Sequence, residues 1–390
     1  MAMVELSARP GKPLGLTPAA FMRDFWQKKP LLVRGAFPRL AALVDRPVLF
    51  ATASRKEATA RMVWRNSPRG RLRLRHGPFT RGELARPPGT QWTLLVNDLE
   101  KHHPERFAEL LSAFGFLPRW RIDDLMVSYA VPGGSVGAHV DQYDVFLVQG
   151  IGRREWRLDL RPEGWRLRPH SELRLVSGFR ATWRAVLEPG DLLYLPPGVP
   201  HHGIARSECL TFSLGMRAPA LGELFGALAD AFLERDPPLL LSDPDLAPRR
   251  HAGELREEDL ERVAAALCAP LRGNDHFAEL LASFLSSWRG KPAAAPRRAR
   301  FDPVAALAAG QRLRRNPWLR ALWWRRADAV RLAVGGRVFS ATPRLAELVA
   351  GASGFGRDEL PDPLPEERRL LRELAAHAVL ELAPNGSAVR

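Results

Sequence analysis

Cysteine is almost missing from this chain. Cys209 and Cys268 are the only two in 390 residues, and neither opens a zinc-ligand spacing. That excludes a disulfide framework and a cysteine-based zinc module, and it fits a reducing compartment. No window of about 18 apolar residues occurs, and MAMVELSARPGKPLG at the N-terminus lacks the apolar core of an export signal. Membrane insertion and secretion are therefore not expected, and a cytoplasmic location is. Lysine is scarce too: six of the 58 basic residues are lysine and the rest arginine. The net charge of +15 consequently has two readings, the coding bias of a G/C-rich genome or a surface that approaches ribonucleoprotein. Internal repeats and long low-complexity tracts are also absent. What remains is a globular chain with 46% hydrophobic and 26% charged residues, long enough for two or three domains.

The hydrophobic pattern changes along the chain. Residues 16–30 carry helical spacing behind a Thr17 cap. From about 31 to 215, short apolar runs alternate with Gly and Pro. DLMVSYAV (124–131), DVFLVQG (144–150), REWRLDL (154–160), ATWRAVLEPGDLLYLP (181–196) and CLTFSLGMR (209–217) read as strands of a sandwich or barrel. Past Pro219 the period becomes helical, with Leu221, Leu224, Phe225, Leu228 and Phe232 on one stripe, and Phe277, Leu280, Leu281, Phe284, Leu285 and Trp288 on another. RGKPAAAPRRAR (289–300) reads as a linker. Beyond it a Gly-Gly hairpin in AVRLAVGGRVFSA (329–341), helical patterns near 343–351 and 365–377 and a last AVLEL predict a small α+β module of winged-helix type. The expected division is 1–218, 219–290 and 300–390.

Chemistry concentrates in two stretches. In GGSVGAHVDQYD (133–144), period-2 alternation places His139 and Asp141 on one side of a strand-like segment. In EPGDLLYLPPGVPHHGIA (188–205), Gly190, Pro196, Gly198 and His201 repeat the spacing of the second cupin motif, while Gly133 and His139 repeat the start of the first. Alone, the His-x-Asp pair is also readable as a surface hydrogen-bonded pair beside a turn. Two imidazoles and a carboxylate with open positions are the ligand set of non-haem Fe(II) oxygenases. The positions after Asp141 (Gln142, Tyr143, Asp144, Val145, Phe146) offer no well-spaced fourth ligand.

PGGSVGAHVDQYDVFLVQGIGRREWRL together with PGDLLYLPPGVPHHG resembles the JmjC-type 2-oxoglutarate oxygenases, and among them the bacterial ribosomal oxygenases that hydroxylate an arginine of protein sixteen of the large ribosomal subunit. The resemblance implies an α+β chain: a double-stranded β-helix (jelly-roll or cupin) barrel with N-terminal helices, a helical dimerisation segment and the C-terminal module. It implies His139, Asp141 and His201 as iron ligands, with His202 a neighbour only. It implies Fe(II), 2-oxoglutarate as co-substrate and dioxygen. Arg154, fifteen residues after His139, would hold the far carboxylate of 2-oxoglutarate through the two parallel donors of its guanidinium. Ser128 would help bind the co-substrate, and Asp124 and Met126, on the same strand face, would line the substrate pocket. Asp144 is the fallback for Asp124. The expected partners are a large-subunit ribosomal protein near ribosomal RNA, and a second copy of the chain.

Plainer readings stand beside these. Arg154 is one arginine among many, Ser128 could be a satisfied barrel hydroxyl, and Asp124 a solvated strand entry. His102-His103 before Pro104 reads as a loop or helix start, and WLRALWWRR (318–326) as core plus solvated arginines. Two other functions also fit. One is a JmjC-type hydroxylase or demethylase of another side chain such as histidine; the other is an RNA-binding module with no catalysis.

Overall fold

The strand-like half of the sequence folds into two facing sheets. The computed structural model describes residues 2–40, 43–67, 70–161, 163–169, 171–234, 240–244, 246–248, 250–251, 253–271, 275–289, 301–351 and 354–383. It divides into two units, Met1–Ala218 and Pro219–Arg390.

In the first unit the elements run β1 (Val4–Ser7), α1 (Pro18–Asp24), β2 (Leu31–Arg34), α2 (Arg46–Ala53), β3 (Ala60–Arg65), β4 (Arg73–His76), α3 (Arg81–Ala85), β5 (Gln91–Val96), α4 (Leu99–His102) and α5 (Pro104–Ser112). There follow β6 (Ile122–Ala130), β7 (Asp144–Ile151), β8 (Arg154–Leu158), β9 (Arg166–Leu167), β10 (Val176–Ser177), β11 (Trp183–Leu187), β12 (Leu192–Leu195), β13 (His201–Ala205) and β14 (Cys209–Met216). Nine strands form the larger sheet in the order β1-β2-β12-β7-β14-β6-β5-β3-β4, antiparallel except for β1 beside β2. The smaller sheet is β11-β8-β13, and His139 bridges it through His201 and Leu175 toward the β9–β10 pair.

The expected barrel is not closed. Among the described residues no ladder joins the edges of the two sheets, which instead pack face to face through apolar side chains. Alternation along each strand decides what lies where. Leu125, Val127 and Tyr129 of β6, Phe146 and Val148 of β7, and Phe212 and Leu214 of β14 face outward onto Phe21, Leu49, Phe107 and Leu110 of the N-terminal helices. The opposite face of β7 and β12 carries Val145, Leu147, Leu193 and Leu195, which meet Trp156, Leu158 and Leu187 of the smaller sheet. At about 1.5–3 kcal/mol per fully buried side chain, this second cluster holds the sheets together. Beyond it, β6 and β14 turn Asp124, Met126, Ser128, Thr211, Ser213 and Gly215 inward. Small and polar residues there leave a cleft.

Two local details differ from the sequence reading. Thr17 does cap α1, accepting from the Ala20 N–H at 3.2 Å, yet the helix ends at Asp24, and Gln27 adopts φ 57° with its N–H donating to the Tyr194 hydroxyl at 2.8 Å. His139 and Asp141 do not lie on a strand. They belong to an irregular segment rich in glycine, which meets β13 at the isolated His139 bridge and again where Gly133 and Gly134 bond Ala205.

The second unit contains α6 (Leu221–Leu233), α7 (Glu257–Cys268), α8 (Asp275–Ser287), α9 (Pro303–Ala308), β15 (Leu313–Arg315), β16 (Ala321–Arg326), β17 (Ala329–Val334), β18 (Arg337–Ser340), α10 (Pro343–Ala350), α11 (Pro365–Ala376) and β19 (Leu380–Leu382). β16-β17-β18 form an antiparallel meander, and Gly335-Gly336, both at positive φ, make its hairpin turn. The last helix of the 219–290 stretch, α8, is bonded to that turn: Ser283 Oγ donates to the Gly336 carbonyl at 2.6 Å, and the Gly336 N–H donates to Ser286 Oγ at 2.9 Å. The expected linker, apart from Arg289, lies outside the described residues. Among the described residues no helix is long and apolar enough to cross a membrane.

Candidate metal centre

Two backbone hydrogen bonds create the centre. The N–H of His139 donates to the His201 carbonyl at 3.0 Å, and the N–H of His201 donates to the His139 carbonyl at 2.9 Å. Residues paired in this way send their side chains to one face. The imidazoles accordingly lie side by side, ring centroids 4.2 Å apart. Asp141 joins them from the irregular segment, held there as its carbonyl accepts from the Gly198 N–H at 2.8 Å. One ligand atom from each of His139, Asp141 and His201 lies within 4.8 Å of the other two, and His201 Nε2 is 3.6 Å from Asp141 Oδ2.

The other ring nitrogens are already engaged. His139 Nδ1 is 3.0 Å from the Gly137 carbonyl and His201 Nδ1 is 2.9 Å from that of Val199. A carbonyl only accepts, so each Nδ1 carries the proton and each Nε2 presents a lone pair to the other two groups. Burial, reinforced by the neighbouring His139, lowers the His201 pKa to about 4, against the opposing pull of Asp141. A neutral imidazole needs no proton removed before it binds a cation. The donor set, two nitrogens and one carboxylate oxygen, suits a divalent transition metal with open positions. His202 points to the other side of β13, its ring edge-on to Phe179 at 6.1 Å.

Arg154 lies at the start of β8 and is 6% exposed. Its Nη2 contacts Cys209 Sγ at 3.7 Å, its Cζ stands 5.8 Å from the Trp156 ring centroid, and its Nε has no hydrogen-bond partner among the described residues. A buried guanidinium with no carboxylate beside it is costly unless an anion arrives. Ser128 lies near it along the sheet: β6 pairs Ser128 with Thr211 and Ala130 with Cys209. Ser128 is buried, and among the described residues its hydroxyl makes only a long 3.5 Å contact to the Thr211 carbonyl.

Asp124 and Met126 line the other end of the same strand face, opposite Gly215 and Ser213. Asn97 Nδ2 donates to Asp124 Oδ2, and a Cβ at Gly215 would stand 3.6 Å from Oδ1. Burial raises the Asp124 pKa, and the nearby Asp123 adds to this. Asp144, the fallback, is on the wrong face. It accepts hydrogen bonds from the Tyr194 hydroxyl at 2.5 Å and from Gln27 Nε2 at 2.9 Å, beneath the N-terminal helices.

Three further cleft residues escaped the sequence reading. Tyr143 lies against the Asp124–Gly215 pair, with the Arg217 guanidinium 4.2 Å from its ring centroid, and burial together with Asp141 and Asp124 raises its pKa. Its signal was visible, an aromatic residue two positions past Asp141. Asn97 follows β5, and Arg61 Nη2 reaches Met126 Sδ at 3.7 Å. Neither belongs to a local motif, since only strand pairing brings them to the cleft.

Fold and site together define a cupin-type protein with a mononuclear metal centre. The JmjC domain family matches residues 109–224, and an AraC-like ligand binding domain matches 183–285. The chain is 36% identical over 352 residues, 88% of its length and 92% of the relative's, to the ribosomal protein uL16 3-hydroxylase of Escherichia coli (strain K12). A probable ribosomal oxygenase of Haemophilus influenzae is 35% identical over 285 residues, 70% of this chain and 69% of that one. The solved structure of YcfD, a ribosomal oxygenase from Escherichia coli, in complex with cobalt and 2-oxoglutarate superposes with a TM-score of 0.80 at 32% identity, over 95% of this chain and 99% of that one. The chain belongs to the JmjC-type ribosomal oxygenases.

The geometry makes a direct forecast for divalent metal. Titrated with Co(II) in a calorimeter, the protein should take up one ion. His139→Ala, Asp141→Ala and His201→Ala should each weaken uptake by about 100-fold or more, whereas His202→Ala stays near wild type. Equal weakening by His202→Ala would place the ion elsewhere.

Proposed function

We propose that this protein is an Fe(II)- and 2-oxoglutarate-dependent dioxygenase that hydroxylates an arginine side chain of the ribosomal protein uL16. One observation carries the reading: a buried arginine with no carboxylate partner among the described residues shares a cleft with a two-histidine, one-aspartate cluster. That pairing suits a metal ion together with a dianionic co-substrate. Iron, 2-oxoglutarate and dioxygen supply the oxidising power for C–H hydroxylation, with succinate and carbon dioxide as by-products. His139, Asp141 and His201 hold the iron. Arg154 neutralises the far carboxylate of 2-oxoglutarate with Ser128 beside it, and the apolar cluster around Trp156 and Leu147 keeps water from that end.

The substrate reading rests on Asp124. Arg61, at Met126, would repel an entering guanidinium, so a carboxylate must outweigh it. Asn97 fixes one Asp124 oxygen, and the missing side chain at Gly215 leaves room beside the other. Met126 and the Tyr143 ring offer apolar surface to the arginine methylenes. Burial that raises the Asp124 pKa is offset once a cation pairs with it. A carboxylate at this point favours arginine over a neutral side chain.

The same proposal places the enzyme in the cytoplasm, near ribosomal RNA, and as a homodimer. α6 and α7 leave Leu221, Phe225, Leu260 and Leu267 exposed, Leu221 at 73% and Phe225 at 63%, and a two-fold copy would cover such stripes. We read the three-stranded meander with α9, α10 and α11 as a winged-helix-like module, so that 219–290 and 300–390 serve as distinct parts of the second unit.

Three measurements check these assignments. Incubated with Fe(II), 2-oxoglutarate and an arginine peptide of uL16, the protein should form succinate and a peptide heavier by one oxygen. Asp124→Asn should raise KM by about tenfold or more while succinate formation without peptide continues; an unchanged KM would move the guanidinium site. For the co-substrate, Arg154→Ala should weaken 2-oxoglutarate binding by about 100-fold or more, Arg154→Lys should recover part of the loss, and Co(II) uptake should persist. Wild-type affinity in the Ala variant would rule out Arg154 as the anchor. Light scattering at micromolar concentration should give twice the chain mass, and a monomer would refute the dimer.

A further inference from the structure

We propose that an arginine rim beside the metal-ligand segment binds the phosphate backbone of RNA. Gly137, two residues before His139, is hemmed by two leucines: a Cβ there would stand 2.8 Å from Leu72 and 2.9 Å from Leu175. Those leucines bring their neighbours to the edge of the segment, Arg71 and Arg73 from one side and Arg174 from the other. Arg174 Nε donates to the Val140 carbonyl, between His139 and Asp141, at 3.3 Å. The Arg168 N–H donates to the Leu175 carbonyl at 2.8 Å, and Arg166 pairs with Ser177 across β9 and β10. His76 of β4 and Glu172 close the connection, His76 Nε2 standing 2.6 Å from a Glu172 carboxylate oxygen. The rim is therefore one contiguous edge.

Its positive charge is in excess. Arg71, Arg73, Arg166 and Arg168 are exposed, and among the described residues none of the four forms an ion pair with a carboxylate. Of the nearby acids, Glu83 is taken by Arg75, while Glu172, in contact with His76, and Glu163 stand against four exposed guanidinium groups. Like charges on one edge repel each other and await a polyanion. The planar fork of arginine matches phosphate. Trp165, half-buried and next to Arg166, adds a ring on which a base can stack, which favours RNA over an acidic protein.

The consequence builds on the ribosomal-protein reading above. A free cationic segment approaching the cleft would be repelled by the rim. The same segment lying among RNA phosphates would be drawn to it, so the preferred substrate is the ribosomal protein bound to RNA, within an assembly intermediate.

The test is anisotropy of a labelled single-stranded RNA with the full-length protein, read against salt. R71A/R73A/R166A/R168A should bind at least about tenfold more weakly at low salt, with the slope of log K against log salt falling by about 0.7 for each arginine lost. Its hydroxylation of a free arginine peptide should not fall, because the four residues stand outside the cleft, and should rise at low salt once the repelling charge is gone. R325A/R337A/R357A/R369A removes the same charge from exposed positions of the second unit and should bind RNA as wild type does. Equal losses in the two variants would make affinity a matter of net charge and overturn the proposal. Unchanged binding by the rim variant would do the same, as would polyglutamate displacing RNA as well as unlabelled RNA does. RNA binding is read without turnover, so a failure of the hydroxylase reading would show separately, as absence of the heavier peptide.

Discussion

The pair of backbone hydrogen bonds between His139 and His201 is the constraint on which the rest depends. These residues are 62 positions apart, and neither the glycine-rich segment around the first nor the loop before the second has a helix or long strand to fix it. The one-residue bridge does so, aligning both imidazoles and letting Gly198 hold the Asp141 backbone. The carbonyls of Gly137 and Val199 then orient the rings. Each ligand is positioned by main-chain groups, whose geometry does not depend on side-chain rotamers.

Uneven filling of the space between the sheets builds the cleft around this bridge. Val145, Leu147, Leu193 and Leu195 occupy one part with Trp156 and Leu158. The inward residues of β6 and β14 are small or polar and do not reach across. The cleft therefore has a dry wall, a buried cation at one end and a half-buried carboxylate at the other. Arg154 is expensive to hold there without an anion, and the strand length between Asp124 and Ser128 keeps it apart from the Asp124 carboxylate, to which Asn97 donates. Bound partners of complementary charge repay that cost.

Much of this was legible beforehand, because local rules govern it. Short apolar runs bounded by Gly and Pro located β6, β7, β8, β11, β12 and β14, and the Gly335-Gly336 turn was recognisable from its dipeptide. Spacing alone joined His139 to His201. The rest depends on pairings distant in sequence. That the sheets stay open, that Asn97 and Arg61 enter the cleft, and that Asp144 faces Tyr194 instead are consequences of strand order and of which face a strand presents. His139 and Asp141 came out as neighbours although the expected strand is absent, since a turn-rich segment can aim two side chains together as well as a pleat can.

The central claim is that one cleft holds a metal on three side chains and a dicarboxylate on Arg154. A crystal structure of the protein grown without oxygen, with Mn(II) and 2-oxoglutarate, tests it most directly. The account predicts Mn(II) on His139 Nε2, His201 Nε2 and the Asp141 carboxylate, with the far carboxylate of 2-oxoglutarate paired to the Arg154 guanidinium. A metal held by other residues, or a 2-oxoglutarate whose far carboxylate lies away from Arg154, would contradict it.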